Sequence, residues 1–274
     1  VSVSAQAQFT ADAVYRGDTR LEIFEVQDAR IRQAADATVA VFDSTKLERR
    51  GADFFFDTTP MSKAMKVCDD EKYADQPSAS DCSGVLVGSD RILTAGHCIS
   101  TKTCATTAFV FGYANAGSRD RVERFPATSV FNCKRILARS DTESFDFALV
   151  EIDRPVPGRV PVTLADARVE RGEGVYLLSH PAGTPLKYSP PNDVLSSNKK
   201  RFSAEIDALG GSSGGAVFSA DTHELVGVLV AGEEDYVKDK KKGCRRILHC
   251  EPGRCIGEES THAAAITAAI PSLN

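Results

Sequence analysis

Short apolar runs separated by turn-forming residues fill the sequence from about residue 84 to residue 230. The runs are rich in Val, Ile, Leu and Phe and are bounded by Gly, Asp, Ser or Pro, which is typical of β-strands joined by turns. They cover residues 84–87, 91–94, 108–111, 148–152, 175–178, 216–218 and 225–230. Because these runs are many and helical segments are few, the pattern predicts an all-β domain, either a barrel or a sandwich.

The segments around these runs show other signals. Residues 20–37 carry apolar residues at roughly helical spacing and predict a helix, although the first few could form a strand. Residues 38–42 predict a strand, residues 43–81 an irregular stretch, and the proline-containing residues 155–161 a linker between two halves. Near the C-terminus, Thr261 is expected to cap a helix over residues 262–269.

Charge, hydropathy and cysteine content narrow the range of partners. The chain has 33 Lys and Arg against 38 Asp and Glu, whereas proteins that bind nucleic acid usually present a basic surface. It has no apolar run of about 18 residues, the length that crosses a membrane as a helix. Its 8 cysteines are an even set without Cys-x-x-Cys pairs, which indicates disulfides and an oxidising compartment rather than a zinc ribbon. We therefore expect no nucleic acid, no membrane, and no metal or other cofactor.

Three separate segments carry side chains suited to nucleophilic catalysis. They are Leu93-Thr94-Ala95-Gly96-His97-Cys98, Phe145-Asp146-Phe147-Ala148-Leu149-Val150 and Gly210-Gly211-Ser212-Ser213-Gly214-Gly215-Ala216-Val217. A serine hydroxyl is a weak nucleophile, so a base such as histidine must take its proton, and a carboxylate must orient that histidine. Glycines allow the tight turn that directs backbone N–H groups at a developing oxyanion.

Each segment has an ordinary structural explanation when it is considered alone. His97 beside a cysteine could be structural, Asp146 could be a charge at a strand edge, and the glycine-rich segment around Ser213 could be a flexible turn. The order His, Asp, Ser along the chain, together with these three local contexts, is harder to obtain by chance. The combination favours a catalytic set over three unrelated features.

The sequence resembles the chymotrypsin/trypsin-like serine endopeptidases, in particular their secreted bacterial branch. Thr94-Ala95-Gly96-His97-Cys98, Asp146-Phe147-Ala148-Leu149 and Gly211-Ser212-Ser213-Gly214-Gly215 match the histidine, aspartate and serine motifs of that family. The similarity runs from about residue 38 to the C-terminus, and residues 43–81 are not covered. It implies an all-β fold of two packed six-stranded antiparallel β-barrels, with a short C-terminal helix and an N-terminal extension.

The resemblance also implies a division of the chain. Residues 1–37 would be the N-terminal extension, residues 38–157 the first barrel with His97 and Asp146, and residues 158–274 the second barrel with Ser213 and the C-terminal helix. Cys82 and Cys98 would form the disulfide of the histidine loop. For the six remaining cysteines 15 pairings are possible, and the sequence does not choose among them.

By the same resemblance His97 is the general base, Asp146 orients it and Ser213 is the nucleophile, while the N–H groups of Gly211 and Ser213 form the oxyanion hole. The residue before the nucleophile is Ser212, where animal trypsins have an aspartate that binds the N-terminal ammonium group. A serine cannot make that ion pair. We therefore expect the oxyanion loop to be organised without a buried N-terminus.

The resemblance also implies a substrate preference, through three further positions. Asp207, six residues before Ser213, would lie at the floor of the specificity pocket and bind Arg or Lys at the P1 position of the substrate. Val230 would belong to the strand that pairs with the substrate backbone, and Gly232 would keep the pocket open to a long side chain. The main rival is a glutamate-specific pocket, although such relatives tend to carry a hydroxyl residue where this chain has Ala208.

The sequence and its resemblance to this family therefore predict a secreted or periplasmic serine endopeptidase, a monomer that acts on protein or peptide substrates and cleaves after Arg or Lys. The alternatives are glutamate specificity and a non-cleaving binding or adhesion protein that keeps the protease fold. The charged stretch over residues 233–259 is predicted to be a solvated loop, and its basic residues could instead bind an acidic partner.

Overall fold

The computed structural model describes residues 14–15, 17–232, 234–250 and 255–270 of the chain. Its α-helices there are α1 (Ala29–Asp36), α2 (Met61–Ala64) and α3 (Ala263–Ala269). Its strands are β1 (Val14–Tyr15), β2 (Leu21–Glu22), β3 (Thr38–Asp43), β4 (Glu48–Arg50), β5 (Asp53–Phe55), β6 (Cys82–Gly88), β7 (Arg91–Thr94), β8 (Thr107–Phe111), β9 (Arg124–Pro126), β10 (Val130–Thr142), β11 (Phe145–Ile152), β12 (Gly174–Ser179), β13 (Lys187–Ser197), β14 (Arg201–Ala204), β15 (Ala216–Ser219), β16 (Leu225–Ala231), β17 (Tyr236–Lys238), β18 (Arg245–Ile247), β19 (His249–Cys250) and β20 (Glu258–His262). The strands far outweigh the helices, as the run pattern predicts.

Six strands of the N-terminal half close into an antiparallel barrel. Their order is β3, β6, β7, β11, β10 and β8, which pairs again with β3. Successive side chains of a strand point to opposite faces, so each short apolar run can direct part of its residues inward. Val39, Leu86, Ile92, Phe109 and Val150 are buried in this way in the first barrel.

The C-terminal half forms a second antiparallel barrel of six strands. Their order is β12, β15, β16, β20, β14 and β13, which pairs again with β12. Val175, Leu177, Phe202 and Val217 belong to its buried core. The predicted all-β fold of two six-stranded barrels with a short C-terminal helix is therefore confirmed.

The two barrels pack against each other through a shared apolar core. Leu93 and Phe147 of the first barrel lie in one buried cluster with Leu178 and Phe218 of the second. β7 and β11 of the first barrel are hydrogen-bonded neighbours. The segment after β7 and the start of β11 are thereby held close to the second barrel.

The N-terminal segment packs on the second barrel. β2 pairs with β13, and the buried Lys187 Nζ lies 3.3 Å from a carboxylate oxygen of Glu22. The prediction of one helix over residues 20–37 is wrong in its first part, because residues 21–22 extend along β13 and residues 23–25 form a 3-10 turn. The helix begins only after Asp28, whose side chain accepts the N–H of Arg30 and caps α1.

Two other local predictions are corrected. Residues 43–81, expected to be irregular, contain the hairpin of β4 and β5 and the short helix α2. The N-cap position of α3 is His262, not Thr261, and the Thr261 hydroxyl donates a 2.7 Å hydrogen bond to the Asp146 carbonyl. Across the described ranges, every helix is too short or too polar to cross a lipid bilayer.

All eight cysteines are paired in disulfides, which are Cys68–Cys244, Cys82–Cys98, Cys104–Cys133 and Cys250–Cys255. The pair Cys82–Cys98 joins β6 to the turn after β7, next to His97. Cys68–Cys244 connects the segment before β6 to the charged stretch before β18.

The strands of the two barrels lie on either side of residues 155–161. The domain limits at residues 37 and 157 stay predictions.

Candidate active site

His97 and Asp146 face each other from two neighbouring segments of the first barrel. His97 lies in the 3-10 turn Gly96–Cys98 directly after β7, and Asp146 lies in β11. The Nδ1 atom of His97 is 2.6 Å from Oδ2 of Asp146. This hydrogen bond raises the pKa of His97, while partial burial acts in the opposite direction. A proton held on Nδ1 leaves Nε2 as the basic nitrogen of the neutral ring.

The Asp146 carboxylate is buried and held by backbone groups. Its Oδ1 accepts the N–H of Gly96 and, at 3.3 Å, the N–H of His97. Position 96 requires glycine, because a Cβ there would lie 2.8 Å from this oxygen and would overlap with the carbonyl of Ser140. The carboxylate is thereby fixed in one orientation toward the imidazole.

Ser213 lies in the loop before β15, and the first barrel holds this loop in place. The N–H of Ser83, in β6, donates to the Ser213 carbonyl at 2.8 Å, and the Ser83 hydroxyl donates to the Gly211 carbonyl at 2.9 Å. Gly214 has φ +82° and lies so close to the first barrel that a Cβ would overlap with the Ser83 carbonyl. These contacts explain why the segment needs a glycine directly after Ser213.

The structure brings Ser213 next to the segment that carries His97. The Sγ of Cys98 is 3.6 Å from the Ser213 carbonyl oxygen. Among the described residues, the Ser213 hydroxyl makes no hydrogen bond to His97. The corresponding bond in catalytic sites is often long until a substrate is bound.

The peptide groups on both sides of Gly211 are fixed in orientation. The Gly210 carbonyl accepts the N–H of Ala182 at 2.6 Å. Because N–H and C=O point in opposite directions in a trans peptide, the N–H of Gly211 points away from Ala182. Within the described parts of the chain, the N–H groups of Gly211 and Ser213 donate to no protein acceptor. Both donors are thus available to a ligand at the site.

Ser212 takes the place of an acidic residue in organising this loop. It is fully buried, its Oγ accepts a hydrogen bond from the Ser179 hydroxyl at 3.1 Å, and the N–H of Leu209 donates to it at 3.3 Å. Its own N–H donates to the Leu209 carbonyl at 2.8 Å. The loop is therefore held by neutral hydrogen bonds at the position where the animal trypsins have an ion pair.

Asp207 is placed differently from its predicted role. Its Oδ1 accepts the N–H of Tyr15 at 2.7 Å, and its Oδ2 accepts the N–H and the hydroxyl of Thr19 at 2.8 Å and 2.6 Å. The side chain is almost completely buried and does not line the cavity beside Ser213. This placement argues against Asp207 as the floor of a substrate pocket, since the N-terminal segment already binds both carboxylate oxygens.

A cavity of about 120 Å³ lies beside Ser213. Its apolar wall consists of Leu209, Leu229 and Ala231, and its polar lining includes Asp235 and Glu258. Drug-sized ligands occupy pockets of roughly 300–1,000 Å³, so this cavity suits part of one substrate side chain. Val230 is buried in β16, between Leu229 and Ala231, and does not itself line the cavity. The pairing of β16 with β20 is irregular at this point.

Gly232 lines the same cavity, but its role differs from the predicted one of keeping the pocket open to a long side chain. A Cβ at residue 232 would overlap with the carboxylate of Glu258, which is itself 4% exposed. Glycine at this position therefore makes room for Glu258. Sequence reasoning did not single out Asp235 or Glu258, because both lie in the charged stretch that it treated as solvated.

Two basic residues of that stretch, Lys242 and Arg246, bind acidic residues of the same chain. Arg246 is within 2.7 Å of Asp70 and 2.8 Å of Glu71, and Lys242 Nζ is 2.9 Å from Asp70. Pairing lowers the pKa of Asp70. Asp70 and Glu71 are thus engaged with cations of the charged stretch.

One group of side chains has the spacing of a metal site. Atoms of Cys82, His97 and Cys98 lie within 4.8 Å of one another. The two sulfurs are joined in a disulfide and cannot act as thiolates, which are the form that binds a metal. This group therefore fits the histidine loop of a hydrolase better than a metal centre.

A family model for the trypsin-like peptidase domain matches residues 82–228, more than half of the chain. The chain belongs to the trypsin-like peptidase family. The matched region contains His97, Asp146 and Ser213 and parts of both barrels.

Two endopeptidases and a further protease are similar to this chain in sequence or in fold. A glutamyl endopeptidase of Bacillus licheniformis is 28% identical over 153 residues, which are 52% of this chain and 46% of the relative. The chain thus spans about half the length of this curated relative. A Glu endopeptidase structure in complex with MPD has a TM-score of 0.56 at 16% identity and covers 94% of this chain and 97% of that chain. The VesB protease of Vibrio cholerae has a TM-score of 0.51 at 16% identity, with 86% and 63% covered. At these identities the two structures support the fold alone.

Proposed function

We propose that this trypsin-like peptidase is a secreted serine endopeptidase that hydrolyses peptide bonds in proteins or peptides. His97 is the general base, Asp146 orients it and Ser213 is the nucleophile. The observation that carries the proposal is the 2.6 Å contact between His97 Nδ1 and Asp146 Oδ2. The loop with Ser213 lies next to this pair, where a hydrogen bond from Ser83 of the first barrel holds it.

The reaction begins when Ser213 Oγ attacks the carbonyl carbon of the scissile peptide bond. Nε2 of His97 takes the hydroxyl proton, and the negative charge of Asp146 stabilises the imidazolium that forms. His97 then donates this proton to the leaving amine, which leaves an ester between Ser213 and the acyl part of the substrate. A water molecule that gives its proton to His97 hydrolyses the ester and restores the serine.

The oxyanion of each tetrahedral intermediate is bound by the N–H groups of Gly211 and Ser213. Two observations support this role, namely the peptide orientation set by the bond from Ala182 to Gly210 and the absence of protein acceptors for both donors in the described residues. Removing one such donor typically slows turnover by about 10²–10³-fold.

Secretion or export to the periplasm is supported by the disulfides. Four disulfides occupy all eight cysteines, and such bonds persist in oxidising compartments. We propose that the enzyme acts as a monomer.

We propose cleavage after Arg or Lys. A glutamate-specific enzyme is the second candidate, because the curated relative is a glutamyl endopeptidase. The cavity beside Ser213 is lined by two carboxylates and, among the described residues, by no cation. Such a lining repels a substrate carboxylate and attracts a positively charged side chain.

The experiment that tests the activity is covalent labelling with a fluorophosphonate, followed by assay on fluorogenic peptides that differ at P1. The wild type and the control Ser144→Ala, which changes an exposed serine in the turn between β10 and β11, should react and cleave. Ser213→Ala and His97→Ala should do neither. Labelling of a serine other than Ser213, or a wild type that folds and is not labelled, contradicts the proposal and favours a non-cleaving binding protein.

A further inference from the structure

The carboxylate expected to choose the substrate is already bound by the chain itself. Asp207 accepts three hydrogen bonds from Tyr15 and Thr19. An arginine or lysine side chain could reach it only by displacing this segment. Any preference for a P1 cation must therefore come from other groups in the cavity beside Ser213.

The carboxylate of Asp235 is one such group. It lies in the segment between β16 and β17, and its Oδ2 accepts the N–H of Gly210 at 2.7 Å. Gly210 belongs to the loop that carries Ser213, so this bond fixes the Asp235 carboxylate relative to that loop. Within the described residues its Oδ1 accepts no hydrogen bond, so that oxygen can receive a donor from a ligand. The side chain is partly buried, and this burial raises the pKa of Asp235.

The carboxylate of Glu258 is the second such group. It is the first residue of β20, it is 4% exposed, and its carboxylate occupies the space that Gly232 leaves open. Asp235 and Glu258 come from different elements and line one cavity with Ser213. The cations whose charge acts on Asp235 are Arg20 and Arg245, and neither lines the cavity. Arg20 is buried against Asp18, and the guanidinium of Arg245 lies over the ring of Tyr236.

Resting on the proposed endopeptidase activity, we infer that Asp235 and Glu258, and not Asp207, are the residues that select a positively charged P1 side chain. A guanidinium or ammonium group in the cavity would form charge-assisted hydrogen bonds to these carboxylates. An uncharged P1 side chain would leave their charges without that partner, and a glutamate side chain would be repelled. The apolar wall of Leu209 and Leu229 would contact the methylene groups of the same side chain.

The test compares Asp235→Asn and Glu258→Gln with the control Glu234→Gln, which changes an exposed acidic residue next to Asp235 that does not line the cavity. Peptides with Arg, Lys, Leu or Glu at P1 are assayed, and active enzyme is counted by fluorophosphonate labelling. Since a hydrogen bond to a charged group is worth about 1.5–3 kcal/mol, each pocket variant should lose roughly 10–150-fold in kcat/KM for Arg relative to Leu. Glu234→Gln should keep the wild-type ratio. An unchanged ratio in both pocket variants overturns the inference, and so does a wild type that is labelled but prefers Leu or Glu.

A binding measurement separates this inference from the proposed activity. p-Aminobenzamidine, a fluorescent aromatic amidine, is titrated into Ser213→Ala alone and into Ser213→Ala combined with Glu258→Gln. We expect binding to the first, and at least about tenfold weaker binding to the second. This result supports the pocket assignment even if the wild type cleaves nothing. An amidine affinity that Glu258→Gln leaves unchanged overturns the assignment even if the enzyme is active. Thermal unfolding of each variant shows whether it is folded in the assay.

Discussion

The Ser83 hydroxyl, on a strand of the first barrel, donates a 2.9 Å hydrogen bond to the Gly211 carbonyl in the loop that carries Ser213. The same hydroxyl accepts the N–H of His180, in the second barrel, at 2.9 Å. One buried side chain thus fixes the nucleophile loop relative to the barrel that holds His97. Ser83 is a positioning residue in this arrangement, since it touches neither the substrate nor the reacting atoms.

Ser83→Ala should lower kcat about tenfold or more and leave KM nearly unchanged, because it loosens the loop that presents the nucleophile and the oxyanion donors. Steady-state kinetics on a cleaved peptide give both constants. The matched control is Thr38→Val, which removes a similarly buried hydroxyl bonded at 3.0 Å to the Ala34 carbonyl, away from the site. A similar loss of kcat in both variants would show that the effect is general destabilisation. Ser83→Thr, which restores a hydroxyl, should recover part of the rate.

The pH dependence of kcat/KM should follow the ionisation of His97. Its bond to Asp146 raises the pKa of His97 above the usual value of about 6.5. Only the neutral ring accepts the serine proton, so the rate should fall as the pH decreases through the raised pKa. In Asp146→Asn the rate should drop by about 10⁴-fold, since the amide favours the wrong tautomer. The acid limb of the remaining activity should also move to lower pH. An acid limb at the same pH in both proteins would contradict the role of Asp146.

The three catalytic segments could be identified from sequence because their chemistry is local. His97, Asp146 and Ser213 each lie in a motif whose neighbouring glycines or apolar residues have a physical reason, such as the close contact of Gly96 with Asp146. The apolar strand runs were also readable, because each buries several side chains in a barrel. β10 was missed, since most of its residues are polar, only Val130 and Phe131 are buried, and the strand is defined by its pairing with β11.

The substrate pocket could not be derived in the same way. The role of Asp207 depends on which backbone groups the N-terminal segment places next to it, and Tyr15 lies 192 residues away in sequence. Asp235 and Glu258 are two acids among many in a charged stretch. Only the closure of the second barrel, which brings β20 beside β16, places Glu258 against Gly232.

The buried pair of Lys187 and Glu22 should make a measurable contribution to stability. Burial lowers the pKa of Lys187 to about 8, and Glu22 is its ionic partner at 3.3 Å. Glu22→Gln leaves the ammonium group buried without an opposite charge, which typically costs about 3–5 kcal/mol. Denaturant unfolding at about pH 7 should show this loss, with the exposed Glu123→Gln as control.

The loss in Glu22→Gln should shrink as the pH rises to about 9. The pKa of Lys187 is lower in the folded state than in the unfolded state, where it is about 10.4. Removing the charge of Glu22 lowers the folded-state pKa of Lys187 further, since Glu22 raises it in the wild type. At a pH above both folded-state values the buried amine is neutral in both proteins, so the penalty for the missing partner disappears. A difference between the variant and the wild type that is the same at both pH values would contradict this role.

A shortened chain that begins at Thr38 should lose stability and activity together. It lacks Tyr15 and Thr19, so the Asp207 carboxylate loses the three hydrogen bonds that these residues donate to it. It also lacks Glu22, the partner of Lys187. An uncompensated buried charge such as that of Lys187 costs about 3–5 kcal/mol, which is a large part of the roughly 5–15 kcal/mol that stabilises a typical domain. We therefore expect little folded enzyme, measured as soluble yield and as the fraction labelled by a fluorophosphonate.

The matched control for this truncation is a chain that begins at Val14, which keeps Tyr15, Thr19 and Glu22. It should be clearly more stable than the chain that begins at Thr38. The opposite outcome is informative as well. If the chain beginning at Thr38 folded and gained a large activity, the N-terminal segment would be an inhibitory pro-region. In that case its hydrogen bonds to Asp207 would mark an inactive precursor, and Asp207 would again be open to a substrate cation.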